Sequence, residues 1–294
     1  MEWIKLKNIA FSRRIDVLEM VAGSGSGHIG GSMSCMDILV SLYYAVMDVE
    51  KIITKSPARD RFILSKGHCA EALYAVLADK GFFPKEDLKT FGAFDTALAE
   101  HPTRKVPGVE IATGALGHGL SLGVGMALGL ATGGVGNVYV LMGDGELAEG
   151  SVWEAAMAAS KYGLGNLTAI VDRNRLQISG GTEDVMPLED LYAKFTSFGW
   201  NVRTCDGHNA EEIVEGLTVR RAPDMPLVLI AETIKGYGSP LMEGVAEWHH
   251  MIPSVEQYEE IKADLHRILS QNAPESKQTG DFEQALGTRR GSFG

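Results

Sequence analysis

The sequence predicts an α/β fold, with a mostly parallel sheet and helices on both of its faces. Short apolar runs alternate along the chain with longer helical patterns, and this alternation is typical of such folds. The 35 glycines cluster at a few places instead of recurring at a fixed period, which indicates backbone-lined sites and not a repeat protein. With 294 residues, 45% of them hydrophobic, the chain is long enough to bury a large core.

The short apolar runs are the predicted buried strands. In chain order they cover residues 61–64, 137–142, 167–171, 201–204 and 227–231. Helical patterns lie between them, for example over 149–161 and 188–198. We predict that residues 1–270 form one domain and that 271–294, which is polar and has no periodic apolar face, is a mobile tail.

Composition excludes several classes of function. A net charge of −11 disfavours binding to nucleic acid or to an anionic membrane, so an anionic ligand requires a local pocket. No run of 18 apolar residues and no secretory signal are present, and we expect a cytoplasmic protein. The three cysteines are too few and too scattered for a disulfide framework or a thiolate zinc site.

The stretch "VYVLMGDGELAEG" places Asp144 between two glycines, where a predicted strand meets a helix. Asn174 follows the next predicted strand, and the carboxyl ends of parallel strands lie at one edge of a sheet. Both side chains offer oxygen atoms, which Mg²⁺ prefers as ligands. Taken alone, "GDG" is more often a plain turn and "DRN" more often a strand-end cap.

Together, "GDGELAEG" and "NLTAIVDRNRLQISG" closely resemble the thiamine diphosphate motif of the transketolase family. The resemblance implies a thiamine diphosphate-binding domain with Mg²⁺ bound by Asp144, Asn174 and the backbone carbonyl of Leu176. It also implies that Gly145 contacts the diphosphate.

Four other blocks resemble the family's in the same order, over roughly residues 4–269. They are "SGSGHIGGSMSCMDIL" with His28, "RDRFILSKGHCAEALYAVL" with His68, "EHPTR" with His101, and "TIKGYGSPLMEGVAEWHHMIP" with His249. The glycine-rich stretch "TGALGHGLSLGVGMALG" also matches. Further cofactor contacts implied by the resemblance are Gly114, Leu116, Gly143 and Glu146. Whether His249 or its neighbour His250 faces the site stays open.

The resemblance assigns roles to the four histidines. It implies that His68 and His249 contact the diphosphate and the reaction centre, and that His28 and His101 face substrate hydroxyls. We therefore expect transfer of a two-carbon ketol unit from a ketose phosphate to an aldose phosphate. The alternatives are a related thiamine diphosphate enzyme with another donor, either similar to deoxyxylulose phosphate synthase or a specialised sugar transketolase, and a non-enzymatic binding subunit.

Full-length members of this family continue into a pyrimidine-binding domain and a C-terminal domain. This sequence shows no such domains after Leu269, so we expect a split transketolase whose separate partner subunit supplies them. The expected assembly contains two copies of each chain. Glu149 resembles a family glutamate at the subunit contact, although a first-turn helix carboxylate is the simpler interpretation.

Two further residues keep alternative interpretations. His208 lies in "CDGHNAEEI", which predicts a strand-end turn with Asn209 capping the next helix, so a structural role is favoured. Lys235 in "KGYGS" is predicted either to steady a phosphate or oxyanion, or to be a solvated loop lysine.

Overall fold

A computed structural model describes residues 3–219 and 222–272. Within these ranges the α-helices are Trp3–Ser24 (α1), Ile29–Ser34 (α2), Met36–Ser41 (α3), Val49–Ile53 (α4), Ala70–Asp79 (α5), Gly119–Ala131 (α6), Gly150–Lys161 (α7), Thr182–Val185 (α8), Leu191–Ser197 (α9), Ala210–Thr218 (α10) and Val255–Gln271 (α11). None of them is long and apolar enough to cross a membrane.

The strands are Arg61–Leu64 (β1), Val138–Gly143 (β2), Leu167–Arg173 (β3), Leu176–Gln177 (β4), Gly180–Gly181 (β5), Asn201–Asp206 (β6) and Leu227–Glu232 (β7). Five of them form a sheet in the order β1-β2-β3-β7-β6, and every pairing in that sheet is parallel. The short β4 and β5 pair antiparallel. Each predicted apolar run coincides with one strand of the large sheet, to within two residues at each end.

Alternate residues of the strands enter two separate cores, one on each face of the sheet. Val140 packs in the core that contains the apolar side chains of α6, α7 and α9. Its neighbour Leu141 packs in the other core, with α1, α3, α5, α10 and α11. Because side chains point to opposite faces along a strand, this division places helices on both faces, as predicted.

Capping residues explain where several helices begin. The sequence predicts a helix over 188–198, but α9 begins only at Leu191. Glu189 has a positive φ of 52°, and Asp190 is the N-cap, because its side chain accepts a hydrogen bond from the Ala193 N–H. Asn209 caps α10 as predicted. The last helix continues through Gln271, the first residue of the predicted tail, and residues 273–294 lie outside the described ranges, so the predicted domain division stays a prediction.

Candidate active site

A cavity of about 310 Å³ lies at the carboxyl-terminal edge of the sheet. Residues that follow β1, β2, β3 and β7 line it, as expected for ligand sites in parallel sheets. The predicted site residues in its wall are His28, His68, Gly114, Leu116, Gly143, Asp144, Gly145, Glu146, Asn174, Leu176 and His249. Sequence reasoning did not single out Gly31, Lys66, Gln177, Ile178 and Ser179, which complete the wall together with Lys235.

Asp144 is buried in this wall, with 1% of its surface exposed. Its Oδ1 accepts a hydrogen bond from the Gly145 N–H at 2.8 Å, and its Oδ2 accepts one from the Arg175 N–H at 2.6 Å. The Arg173 guanidinium lies 3.2 Å from Oδ2. Burial, together with the nearby Asp172 carboxylate, nevertheless raises the pKa of Asp144. A further positive charge nearby would therefore stabilise the ionised form of this carboxyl group.

Asn174 and Leu176 bring further oxygen atoms to the same place. The Oδ1 of Asn174 accepts a hydrogen bond from the Leu176 N–H at 3.1 Å, and the Leu176 carbonyl accepts one from Lys235 Nζ at 3.4 Å. Between them, Arg175 has a φ of 64°, a left-handed conformation that turns the chain sharply. Carboxylate, amide and carbonyl oxygens are the donors that Mg²⁺ prefers, so this set fits that ion.

A buried ion pair lies beside this oxygen set. Lys66 and Asp172, which are 1% and 0% exposed, form a salt bridge between the ends of β1 and β3. Burial lowers the pKa of Lys66, but the Asp172 carboxylate, together with Cys69 and Cys35, holds that pKa well above its ordinary value. Sequence reasoning missed both residues, because a charged residue at a strand end gives no local sign that the fold will bury it.

Five histidines form a cluster, and three of them, His28, His68 and His249, line the cavity. The rings of His68 and His249 are stacked with 5.3 Å between their centroids, and His28 meets each of them edge-on, at 5.3 and 5.4 Å. His28 also lies 6.0 Å from His101 and 4.6 Å from His250. His249 therefore lines the cavity, while His250 contacts the same cluster through His28.

Burial changes the protonation of two histidines in this cluster, His28 and His249. It lowers the pKa of His28 to about 4, with a contribution from neighbouring His68. It lowers the pKa of His249 to about 3, with a contribution from the Lys235 ammonium. Both imidazoles are therefore neutral near pH 7 and each offers one donor and one acceptor nitrogen.

Lys235 is a cavity residue and not a solvated loop lysine. It is 2% exposed, and its Nζ lies 2.8 Å from His249 Nδ1. Burial, with a contribution from Lys66, lowers its pKa to about 8. Its ammonium can therefore face an anionic ligand in the cavity at neutral pH.

His208 has the structural role that the sequence favours, and it supports the loop that carries Lys235. Its Nε2 accepts a hydrogen bond from the Ile234 N–H at 2.9 Å, and its Nδ1 lies 2.9 Å from Asp37 Oδ2. The ring stacks on Tyr237 at 3.5 Å. These contacts fix the start of the loop that carries Lys235.

The two glutamates predicted for the site lie in different surroundings. Glu146 is buried, and its carboxylate accepts hydrogen bonds from the Ser65 hydroxyl, the Gly117 N–H at 2.8 Å and the Gly143 N–H at 3.2 Å. It therefore braces the cavity wall. Glu149 is exposed at the start of α7 and does not belong to the cavity lining.

The cavity wall has no room for a side chain at two of its glycines. Gly114 has a φ of 148°, and a Cβ at this position would lie 2.9 Å from His101 Cδ2. A Cβ on Gly31 would lie 2.7 Å from Cys69 Sγ. A side chain at either position would therefore displace the histidine cluster or its support.

An all-oxygen donor set beside a glycine-walled cavity, with a lysine and clustered imidazoles, defines a class of α/β proteins that bind an anionic cofactor through a divalent cation. The family model for the thiamine diphosphate binding domain of transketolase matches residues 6–267. The chain therefore belongs to the transketolase family, as its thiamine diphosphate-binding domain. The predicted family and fold class are confirmed.

Known relatives are similar over most of the chain. It is 50% identical over 246 residues to an apulose-4-phosphate transketolase subunit from Phocaeicola vulgatus, and the match covers 83% of this chain and 88% of the relative. It is 42% identical over 253 residues to the 6-deoxy-6-sulfo-D-fructose transketolase subunit SqwG from a Clostridium species, and this match covers 85% of this chain and 92% of the relative. The predicted transketolase type of enzyme is confirmed at the level of the family.

Solved transketolases share the fold but are longer. The Campylobacter jejuni transketolase structure superposes with a TM-score of 0.80 at 30% identity, and the match covers 89% of this chain. It covers 42% of the Campylobacter chain, so this chain spans less than half of that protein.

Proposed function

We propose that the chain is the diphosphate-binding subunit of a thiamine diphosphate- and magnesium-dependent transketolase. The reaction is transfer of a two-carbon ketol unit from a ketose to an aldose. The observation that carries this proposal is the cavity, whose lining combines oxygen donors at Asp144, Asn174 and Leu176 with the imidazoles of His28, His68 and His249. An anionic group bridged by a cation fits the oxygen donors, and a polyhydroxylated substrate fits the imidazoles.

Asp144, Asn174 and the Leu176 carbonyl would hold Mg²⁺, and Lys235 would offset part of the diphosphate charge. The raised pKa of Asp144 supports this assignment, because a cation would favour its ionised form. When bound, thiamine diphosphate supplies a nucleophilic carbon that attacks a ketone and holds the electron pair of the broken carbon–carbon bond.

His28 and His101 would bind the hydroxyl groups of the ketose, and His68 and His249 would lie at the diphosphate and the reacting carbon. A neutral imidazole donates a hydrogen bond through one nitrogen and accepts one through the other, so it can orient a hydroxyl and exchange its proton. The low pKa values of His28 and His249 support this state near pH 7.

We propose a sugar phosphate or a related anionic ketose as the donor class. One relative is named for apulose 4-phosphate and the other for 6-deoxy-6-sulfo-D-fructose. The two names differ in the sugar, so they support a class of substrate and not one compound.

We propose that a separate subunit completes each site with a pyrimidine-binding half, in a cytoplasmic assembly of two copies of each chain. The names of both relatives contain the word subunit, which supports a partner. Leu122, Leu128 and Met157 on α6 and α7 are 36%, 37% and 51% exposed, and Glu149 lies at the start of the same α7. Exposed apolar side chains on two helices that pack against each other suit a subunit contact.

Mixing the purified chain with its pyrimidine-binding partner and assaying ketol transfer tests this proposal. We expect activity from the mixture, and none from either chain alone. Light scattering should give the mass of a two-plus-two assembly. Full activity of this chain by itself, at a purity that excludes a partner, would contradict the split enzyme.

Replacing His101 with alanine tests the donor site. The ketose kcat/KM should fall about 10- to 100-fold, the equivalent of a lost hydrogen bond of about 1.5–3 kcal/mol, while the affinity for thiamine diphosphate changes little. The matched control is His266→Ala, on the exposed face of α11. An equal loss with pyruvate and with ketose donors would favour a pyruvate-dependent synthase.

A further inference from the structure

Two residues that the proposed reaction does not use, Glu100 and His250, lie close to His28 of the histidine cluster. His28, Glu100 and His250 each offer one ligand atom, and these atoms all lie within 4.8 Å of one another. The three residues come from the start of α2, from the loop before His101 and from the segment after the Ala246–His249 turn. The fold therefore brings two imidazoles and a carboxylate together from distant parts of the chain.

The carboxylate is held in position. Glu100 Oε1 accepts a hydrogen bond from the Ser26 hydroxyl at 2.7 Å, which leaves Oε2 directed toward His250. The distance from Oε2 to His250 Nε2 is 4.0 Å, too long for a hydrogen bond. A cation between the two atoms would bridge this gap.

His28 contributes a second, independent observation. Its Nδ1 is buried and has no hydrogen-bond partner among the described residues. Its backbone N–H is anchored on Glu71 Oε1 at 2.7 Å, which fixes the position of the residue. A buried nitrogen without a hydrogen-bond partner lowers the stability of the fold. Rotation of the His28 ring toward a bound ligand would remove this cost.

We propose that His28, Glu100 and His250 form a second cation site, selective for Zn²⁺ over Mg²⁺. Two imidazoles and one carboxylate are a donor set for Zn²⁺, whereas Mg²⁺ prefers oxygen ligands alone. Tetrahedral Zn²⁺ at its usual bond lengths of about 2.0–2.2 Å requires ligand atoms roughly 3.3–3.6 Å apart. Small side-chain rotations bring the three atoms to that spacing, and the exposed His250 is able to make them.

This site has a consequence for the reaction, and that consequence rests on the proposed function. A Zn²⁺ ion on His28 would withdraw this imidazole from the ketose hydroxyls that it is proposed to bind together with His101, whose ring centroid lies 6.0 Å from that of His28. Zn²⁺ would therefore compete with the donor sugar and leave the oxygen-lined Mg²⁺ end of the cavity unaffected.

Calorimetric titration of the full chain with Zn²⁺, in buffer that contains saturating Mg²⁺, tests the binding step. We expect one Zn²⁺ per chain for the wild type and for the His266→Gln control. Glu100→Gln and His250→Gln should each weaken binding at least about tenfold, the lower end of the loss caused by removing a residue that merely orients a ligand. Co²⁺ as a probe should show tetrahedral visible absorption that the same two variants lose.

Two outcomes overturn the cation site: no stoichiometric Zn²⁺ binding by the wild type, or unchanged affinity in both Glu100→Gln and His250→Gln. In the assembled enzyme, Zn²⁺ should raise the KM for the ketose without changing kcat, and Glu100→Gln should abolish this effect. A fall in kcat at constant KM would overturn the competition. Since the titration needs neither partner nor substrate, failure of ketol transfer would contradict the proposed function and leave the cation site standing.

Discussion

Asp144 and Asp172 lie on neighbouring strand ends at the same edge of the sheet, and both are buried, but their surroundings differ. Asp172 receives hydrogen bonds from four side chains of the chain itself, which are Ser34, Lys66, Asn174 and Thr233. Asp144 receives two from backbone N–H groups and one from Arg173. Of the two carboxylates, Asp144 belongs to the described lining of the cavity and Asp172 does not.

The comparison separates two uses of a buried carboxylate. Asp172 is satisfied by a buried ammonium and three neutral donors, so it connects β1, β3 and β7 as part of the scaffold. Asp144 faces a cavity, and its pKa is raised in spite of its donors. A bound cation would stabilise the ionised form of a carboxyl group whose pKa is raised in this way, as expected for a metal ligand.

The largest effect should come from breaking the Asp172 pair. Lys66→Met would leave Asp172 buried without its cation and should lower the free energy of unfolding by about 3–5 kcal/mol. Urea denaturation measures this loss, and the double variant Lys66→Met/Asp172→Asn should recover part of it. Near wild-type stability of Lys66→Met would show that Asp172 does not depend on the lysine.

Removing the Arg173 guanidinium beside Asp144 should destabilise the fold less than Lys66→Met does. Arg173→Met leaves Asp144 with its two backbone donors and a cavity that admits water, so we expect a loss of about 1–3 kcal/mol, comparable to lost hydrogen bonds. The same denaturation assay compares it with Lys66→Met. If Arg173→Met destabilised the chain as much as Lys66→Met, the distinction between the two aspartates would fail.

The smallest effect concerns Asp144 itself and depends on pH. Because its pKa is raised above 3.8 in the folded chain, folding favours the protonated form, and this contribution to stability is present below about pH 3.8 and lost as pH rises through the folded pKa. Without divalent cations, Asp144→Asn should therefore gain stability relative to the wild type as pH rises toward 7. Denaturation over a pH series checks this, with exposed Asp184→Asn as control. If the stability of Asp144→Asn fell further below that of the wild type as pH rises, this expectation would be contradicted.

Much of the fold follows from local patterns in the sequence. The strand 61–64 was predictable residue for residue, because a buried parallel strand is a continuous apolar run between breakers. The convergence of Asp144 and Asn174 was predictable too, since each follows one of two adjacent parallel strands. The late start of α9 was not, because it depends on the backbone conformation of Glu189 and the cap at Asp190.

The parts of the site that escaped sequence reasoning depend on contacts between distant segments. Lys66 is 106 residues from its partner Asp172, and His208 is 171 residues from Asp37. Local sequence patterns do not predict such pairs, and a charged residue near a glycine-rich turn is usually solvated. The contact between His250 and Glu100 escaped for the same reason, although the sequence left the orientation of His250 open.

The most direct test of the central claim is calorimetric titration of thiamine diphosphate into the assembled enzyme, with Mg²⁺ and with a chelator. We expect Asp144→Asn to bind the cofactor no better in Mg²⁺ than the wild type does in chelator, while its fold and its assembly with the partner are retained. The control Asp184→Asn should bind like the wild type. Undiminished, magnesium-dependent affinity in Asp144→Asn would contradict the assignment of Asp144 as the metal ligand.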